Sequence, residues 1–380
     1  MPWPADQRHV FLVSRSSQPC GVEAFSKLLC EASNRAGGMA STMLLSGQRA
    51  DLTGIWRVLG PDAALIINLP VVAWKRHVVA PLIAMVMAWL RGAERVVVLH
   101  EWSDLNWQRR GFYLLYCFFA STIFLSSPHI QHQFEDDEWA AWLRRRVRGV
   151  LPVPPNLKRP QATVDIPLTG KLRQWRGEGR YILATFGSIY PKKQTTRLLD
   201  IAVELKRRGE RPMVVLIGSF IRSPEPIEAT FWQKVRDLGL EGDVHVSGYV
   251  ATDEEIFGLF AEVDAFAYMF AEGLTSRRGS VLACMQSGRP VVVNAPADAG
   301  EFAHHRAYSS LLEARNLRLV ETDAGAADYA SALIAARHQP AASVVVDFDA
   351  CWDDAARALM ARNQQLVPTT REAPVPAARA

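Results

Sequence analysis

Short apolar runs alternate with longer stretches of helical period along most of the chain. His9 to Ser14, Ala63 to Leu69, Arg95 to His100 and Thr122 to Ser126 are dense in Val, Ile, Leu and Phe, and each predicts a buried strand. Between them the pattern predicts helices over Gly21 to Ala36, about Ala73 to Arg91, Trp107 to Phe119 and about Glu135 to Arg148. Continuous apolar strands separated by helices indicate a parallel sheet covered on both faces.

The rhythm breaks after Val150. Leu-Pro-Val-Pro-Pro-Asn-Leu-Lys-Arg-Pro resists both helix and central strand, so residues 156–178 read as a linker. The alternation then restarts. Strands are expected at Tyr181 to Phe186, Met213 to Ile217, Val244 to Ser247, Val263 to Phe270, Val291 to Asn294 and Leu317 to Val320. Helices are expected at Thr195 to Arg208, Ile227 to Leu238, Asp253 to Ala261, Ser280 to Ser287, near Ala326 to Ala336, and at Asp349 to Gln364. Two doubly wound sheets joined by one linker place a cleft between them, and ligands of such sheets bind outside the carboxyl ends of the strands.

Composition narrows the classes. The chain has 380 residues, 49% apolar and 22% charged, enough for two ordinary domains with sizeable cores. Its net charge is +4, with 18 Lys/Arg against 13 Asp/Glu over residues 1–170 and near balance afterwards. That excess hints at an anionic surface or ligand for the first half, although a solvated basic face is the commoner cause. Five scattered cysteines form no metal-ligand spacing and read as reduced thiols. The N-terminus runs straight into a strand, which predicts no signal peptide and a cytoplasmic chain. The apolar runs Val78 to Leu90 and Gly111 to Leu125 fall short of the roughly 20 residues a spanning helix needs. They suit buried or interfacial helices. No basic stripe interleaves with stacking aromatics, which argues against nucleic acid.

Polar residues with chemistry gather at the predicted strand ends. Gly187-Ser-Ile-Tyr-Pro-Lys-Lys-Gln puts Lys192 and Lys193 near a helix start, where the helix dipole disfavours cations unless an anion joins them. Solvent-facing lysines are the alternative. Gly218-Ser-Phe-Ile-Arg222 is a second such loop. The third, Glu272-Gly-Leu-Thr-Ser-Arg-Arg-Gly-Ser, places Arg277 and Arg278 between Gly273 and Gly279, with guanidinium forks suited to phosphate oxygens. An internal ion pair to Glu272 is the competing account. In the first half, Gly21 opens the first helix without a GxGxxG, and His100 ends a strand as either a structural residue or a ligand contact. Asp347-Phe-Asp349 has the DxD form, but Asp349 reads as a helix N-cap, so no metal is expected.

These residues resemble the retaining glycosyltransferases of family 4, which have the GT-B fold of two Rossmann-like domains with parallel sheets facing across a cleft. The likeness runs from about residue 9 to 364 and is strongest over 181–295. Phe186-Gly-Ser-Ile-Tyr-Pro-Lys-Lys is similar to the family's Gly-Arg-Leu-x-x-x-Lys-Gly loop, Val244-His-Val-Ser-Gly-Tyr-Val to its strand-Gly-x-Val loop, and Glu272-Gly with Ser287-Gly-Arg-Pro-Val-Val-Val to the ends of its Glu-x7-Glu region. Gly21-Val-Glu-Ala-Phe and Val98-Leu-His-Glu are similar to its first-domain motifs.

The resemblance implies an acceptor-binding domain over 1–155 and a nucleotide-sugar domain over 179–348. It implies a terminal helix, 349–366, packing back on the first domain; residues 367–380, rich in Pro and Ala, read as a disordered tail. It implies Lys193 on the donor pyrophosphate with Gly21 lining the phosphate side, Glu272 and His100 at the donor sugar, and Gly248 and Tyr249 near the base. Two departures mark a variant branch. Ser188 stands where the family has an arginine, a contact that Arg277 or Arg278 could replace, and Ser280 stands for the ribose-binding second glutamate. The expected activity is retaining transfer of a sugar from a nucleoside-diphosphate sugar to a carbohydrate or lipid-linked acceptor in polysaccharide or glycolipid assembly. No cofactor or metal is expected. The apolar helices and Trp139-Ala-Ala-Trp-Leu-Arg-Arg-Arg suggest the inner membrane surface as a partner, with ordinary packing as the alternative. Rival readings are a non-catalytic nucleotide- or partner-binding subunit and a sugar-nucleotide epimerase.

Overall fold

The computed structural model describes residues 7–14, 20–46, 48–75, 79–190, 193–221, 225–338 and 346–361. They form two compact units, each built on one six-stranded parallel sheet. The first unit holds the described residues up to Asn156, together with Gly300–His305 and residues 349–361; the second holds the rest.

The first sheet contains β1 (Arg8–Ser14), β2 (Met39–Leu45), β3 (Ala63–Leu69), β4 (Glu94–Leu99), β5 (Thr122–Leu125) and β6 (Val147–Val150), in the order β2-β1-β3-β4-β5-β6. β3 lies between two neighbours and under helices, and all seven of its residues are buried. That explains its run of five apolar residues from Ala63 to Ile67. The helices are α1 (Gly21–Arg35), α2 (Arg49–Val58), α3 (Val79–Leu90), α4 (Trp107–Phe119) and α5 (Pro128–Glu135). Local chemistry fixes their starts. The Asn106 side chain accepts from the Arg109 amide at 2.9 Å, and the Ser127 hydroxyl accepts from the Ile130 amide at 3.2 Å just ahead of Pro128.

Two helices expected here are broken. The segment Glu135 to Arg148 becomes the end of α5, a 3-10 helix Ala141–Arg146, and β6. Arg146 leaves the helical course because its guanidinium bonds the carbonyls of Cys117 and Ala120 at 3.2 and 2.7 Å, and Val147 pairs with Ile123. The run from Ala73 starts as a 3-10 turn, Val72–Lys75, before α3. β2 and α2 were not predicted at all.

The second sheet contains β7 (Tyr181–Phe186), β8 (Pro212–Ile217), β9 (Val244–Val246), β10 (Ala265–Tyr268), β11 (Val291–Asn294) and β12 (Leu317–Val320), in the order β12-β11-β10-β7-β8-β9. Around it stand α6 (Pro167–Gly177), α7 (Arg197–Arg207), α8 (Ile227–Asp237), α9 (Asp253–Ala261), α10 (Gly279–Met285), α11 (Arg306–Glu313) and α12 (Ala326–His338). α6 lies inside the stretch read as a linker. Pro167 at its first position and Thr169 Oγ1, accepting from the Ile166 amide at 3.2 Å, start it, and buried Leu168 and Leu172 anchor it. α11 was also unexpected.

The last helix, α13 (Phe348–Met360), groups with the first unit from Asp349 onward. Its Trp352 is buried, lies 5.3 Å from the ring of Phe25, and donates Nε1–H to the Pro155 carbonyl at 3.0 Å. Asp349 falls in its first turn rather than at the N-cap, because the helix starts at Phe348. No helix among the described residues is long and apolar enough to cross a membrane. The proline- and alanine-rich tail lies outside the described residues.

Candidate functional site

In the second unit the carboxyl ends of β7, β8 and β10 converge on Lys193. β7 gives way to Gly187, whose φ of 103° bends the chain. Gly218, after β8, approaches so closely that a Cβ there would lie 2.3 Å from the Gly187 carbonyl oxygen. The backbone bridge between Ile189 and Phe220 carries the two loops onward together. Beyond them Lys193 turns back under the loop. Its Nζ donates to the Phe186 carbonyl at 2.5 Å and sits 5.1 Å from the centre of the Tyr268 ring.

Lys193 is buried, and that burial pushes its pKa down to about 7; the nearby Cys284 opposes the fall and the Arg278 charge adds to it. Near neutral pH the amine is therefore poised between charged and neutral forms. An anion placed against it would draw it to the charged form. Tyr268 locks the arrangement from below. Its hydroxyl accepts from the Phe186 amide at 3.0 Å, donates to the Phe186 carbonyl at 3.1 Å, and lies 3.2 Å from Cys284 Sγ. With its one proton on the carbonyl, the hydroxyl oxygen accepts from the Cys284 thiol. Burial, first of all, keeps Cys284 a thiol, its pKa pushed up to about 12.

Glu272 forms the second focus. Its Oε1 accepts from Arg277 Nη2 at 3.2 Å and from Arg278 Nη2 in a closer contact. Both arginines therefore make the internal pair that was the competing account of the sequence. The two guanidiniums share one carboxylate, and all three side chains are at most 18% exposed. One positive charge is left in excess. Arg278 also packs its guanidinium 4.4 Å from the Phe270 ring centre and donates from Nη1 to the Tyr190 hydroxyl at 2.8 Å. Burial works against its charge, but Tyr190 and Glu272 outweigh it and hold the pKa above the ordinary arginine value. Gly273, with φ 75°, permits the turn: a Cβ there would stand 2.1 Å from the Ala295 carbonyl oxygen.

Ser280, in the first turn of α10, borders the same loop, since a Cβ built on Gly187 would be 3.8 Å from its Cβ and 3.2 Å from Lys193 Nζ. Ser188 is exposed. Gly248 and Tyr249 follow β9, and Ser247 ties them to the β8 loop by accepting from the Gly218 amide at 3.0 Å and donating to the Gly248 carbonyl at 2.7 Å. Tyr249 is 69% exposed. Lys192 and Arg222 lie outside the described residues. Tyr190, Phe270 and Tyr268 were missed by sequence reasoning. Tyr190, two residues from Ser188, was the only one whose place in the loop signalled it.

In the first unit, His100 follows β4 and is buried. Its Nε2 meets Asn68 Oδ1 at 3.2 Å, Asn68 Nδ2 donates to Ser26 Oγ at 2.9 Å, and the Phe25 ring packs edge-on at 4.8 Å. The contact with a carbonyl oxygen puts the proton on Nε2. Gly21 is the exposed first residue of α1, and a Cβ there would meet nothing within 4 Å. Two residues on, Glu23 accepts from the Ser14 hydroxyl at 2.6 Å. Among the described residues no group of three His, Cys, Asp or Glu side chains is placed to hold a metal ion.

Two parallel six-stranded sheets with flanking helices make this the GT-B architecture. Residues 180–337 match the family model described as Glycosyl transferases group 1. By overall fold the chain is similar to Anabaena Alr3699/HepE in complex with UDP, at 17% identity and a TM-score of 0.60, covering 94% of this chain and 95% of that one. It is also similar to the E. coli trehalose-6-phosphate structure bound with UDP-2-fluoro glucose (12% identity, TM-score 0.54, 94% and 96% covered). A third is WaaG, a glycosyltransferase involved in lipopolysaccharide biosynthesis (13% identity, TM-score 0.51, 93% and 95% covered). No curated protein matches the chain by sequence. The family match thus falls on the second unit, and the likeness to the solved structures is one of fold over both sheets.

Proposed function

We propose that the protein is a retaining glycosyltransferase of family 4 that moves a hexosyl group from a nucleoside-diphosphate sugar to an acceptor hydroxyl. The observation that carries this is the cationic excess around Lys193, Arg277, Arg278 and Glu272, at strand ends inside the segment that matches the family. Relatives of the same fold bind UDP and UDP-glucose, which makes uridine the first base to try.

In this reading the diphosphate lies against Lys193 and the Gly187 loop, and the amine takes up a proton as it binds. As the bond from the sugar's anomeric carbon to the diphosphate breaks, charge grows on the leaving oxygen. Lys193 and Arg278 stabilise that charge in a site already oriented for it. The acceptor hydroxyl attacks from the face the diphosphate leaves, so configuration is retained. Glu272 holds donor-sugar hydroxyls, Ser280 contacts the ribose, and Gly248 and Tyr249 border the base. The site needs no metal, because lysine and arginines supply the positive charge. The first unit is assigned the acceptor, a carbohydrate or lipid-linked chain in polysaccharide or glycolipid assembly, worked on at the inner membrane surface.

A thermal-shift panel with UDP, GDP, ADP and TDP, repeated on Lys193→Ala, tests the donor site. A ligand at about 100 times its Kd adds roughly 2.7 kcal/mol of stability. A shift with one nucleotide that is lost in the variant supports the reading. The absence of any shift counts against it and favours a second reading, a non-catalytic GT-B subunit, which the serines at 188 and 280 and the Glu272 pairing recommend.

A further inference from the structure

β2 is an edge strand, paired with β1 on one side only. Its seven residues, Met-Ala-Ser-Thr-Met-Leu-Leu, carry no charge and no proline, and the register with β1 runs unbroken from Met39 to Leu45. The devices that usually blunt such an edge, a lysine, a proline or a bulge, are all missing from it. Met39 and Leu44 are each 47% exposed along the strand. Met43 packs towards α2, its Cε 3.5 Å from a Cβ built on Gly54, so Leu44 lies on the opposite face, the one that α1 covers.

The open part of this edge is short and symmetric. Alternate residues of a strand turn their N–H and C=O away from a parallel neighbour, and here these are Ala40, Thr42 and Leu44, with Ser46 just beyond. At one end the Asn34 side chain takes both groups of Ala40: Nδ2 donates to the carbonyl at 2.8 Å and Oδ1 accepts from the amide at 2.7 Å. At the other, the Ser46 amide donates to Asp51 Oδ2 at 2.7 Å. Among the described residues nothing bonds the outward groups of Thr42 and Leu44. The window is therefore capped at equal distances on either side of Met43. Charge on α1 repeats the symmetry. Glu31 and Lys27 lie on the helix face of Asn34, one and two turns before it, and both are exposed.

We propose that two copies of the chain associate through β2, antiparallel about a two-fold axis at Met43, so that Thr42 of each exchanges backbone hydrogen bonds with Leu44 of the other. A window that is its own mate under a two-fold axis selects a second copy over an unrelated strand. The same axis reverses α1 and brings Lys27 of one copy towards Glu31 of the other. The Leu44 side chain is then covered by Thr42 and, diagonally, Leu44 of the copy. Pairing stops at Ala40 and Ser46, whose outward groups are already taken, and the strands part there. The two sheets run in opposite directions, so each copy keeps the His100 end of its sheet free. The proposal does not depend on the donor reading above.

Sedimentation velocity of the full chain over roughly 1 to 100 µM tests it, and a dimer that grows with concentration is expected. Leu44→Lys should raise the dimer Kd about tenfold or more with Tm unchanged, because it places a charge on the edge at a half-exposed site. Glu31→Lys should also weaken the dimer, and adding Lys27→Glu should restore it. Facing residues at the centre of such a pair have Cα atoms about 4.5 Å apart, so Met43→Cys should give a disulfide-linked dimer on mild oxidation and Met39→Cys should not. A monomer at every concentration overturns the proposal. So does a dimer that Leu44→Lys leaves intact, or one that Met39→Cys links and Met43→Cys does not. α13 ends beside the start of β2, with Met360 Sδ 3.6 Å from a Cβ built on Gly38. A dimer that forms only once residues 362–380 are removed therefore also overturns it, since that segment would then be the occupant of the edge.

Discussion

The Arg278 guanidinium donates to the Tyr190 hydroxyl at 2.8 Å, and by that bond a side chain from the β10–α10 loop reaches the β7–α7 loop. Ser188, two residues before Tyr190, stands where the resemblance to family 4 implies an arginine. The structure thus brings a guanidinium to the loop from elsewhere. Tyr190→Phe should weaken UDP binding about three- to tenfold, in line with the net worth of one lost hydrogen bond, with little change in Tm. Calorimetric titration with UDP measures the first and a melting curve the second. Unchanged affinity would mean that Arg278 serves Glu272 only.

Removing the charge of Glu272 should be costly. Glu272→Gln leaves two mostly buried guanidiniums with no carboxylate between them. A loss of about 3 kcal/mol in unfolding free energy is expected from breaking such a pair. UDP or inorganic phosphate should stabilise the variant more than it stabilises the parent, because the anion replaces what was lost. Denaturant melts with and without ligand read both effects.

Lys193 sets a pH dependence with a definite sign. Its pKa falls from 10.5 to about 7 on folding, so between those values the unfolded chain binds the extra proton. Stability therefore rises with pH across about 7 to 10 and is lost as pH falls towards 7. The difference in unfolding free energy between the parent and Lys193→Met should follow that trend, since other titrating groups cancel in it. Binding of a diphosphate reverses the preference: UDP affinity should weaken above pH 7 and each binding event should take up a proton, measurable in buffers of different ionisation heat.

Backbone packing at the site leaves no room for methyl groups. Gly218→Ala would set a Cβ 2.3 Å from the Gly187 carbonyl oxygen, and Gly273→Ala one 2.1 Å from that of Ala295, both at positive φ. Each should cost about 2 kcal/mol or more and abolish the UDP-induced shift, whereas Gly21→Ala, with nothing near, should fold normally. Tm and soluble yield separate the three.

The sequence disclosed the parts of the fold that obey one rule at a time. β3, β7 and β8 are buried along their whole length and β4 over its last four residues, so their Val-, Ile- and Leu-rich runs are unambiguous. β2 escaped because it is an edge strand, Met-Ala-Ser-Thr-Met-Leu-Leu, largely exposed and without a clean alternation. The Trp139–Arg148 stretch was misjudged because helical spacing cannot reveal that Arg146 will bond the end of another helix. At the site, the charged residues were legible from their clustering at strand ends. Their settings were not. Tyr268 under Lys193 and Phe270 under Arg278 belong to a strand and its exit more than 70 residues from the lysine, and only the β7–β10 pairing brings them together.

One consequence follows from the buried Trp352, lodged against Phe25 and Pro155. The first unit is therefore discontinuous along the chain, its core closed around Phe25 by a side chain that follows the whole second sheet. Such a closure is a long-range contact whose loop entropy must be met before it stabilises anything, which makes the first unit the slower of the two to complete.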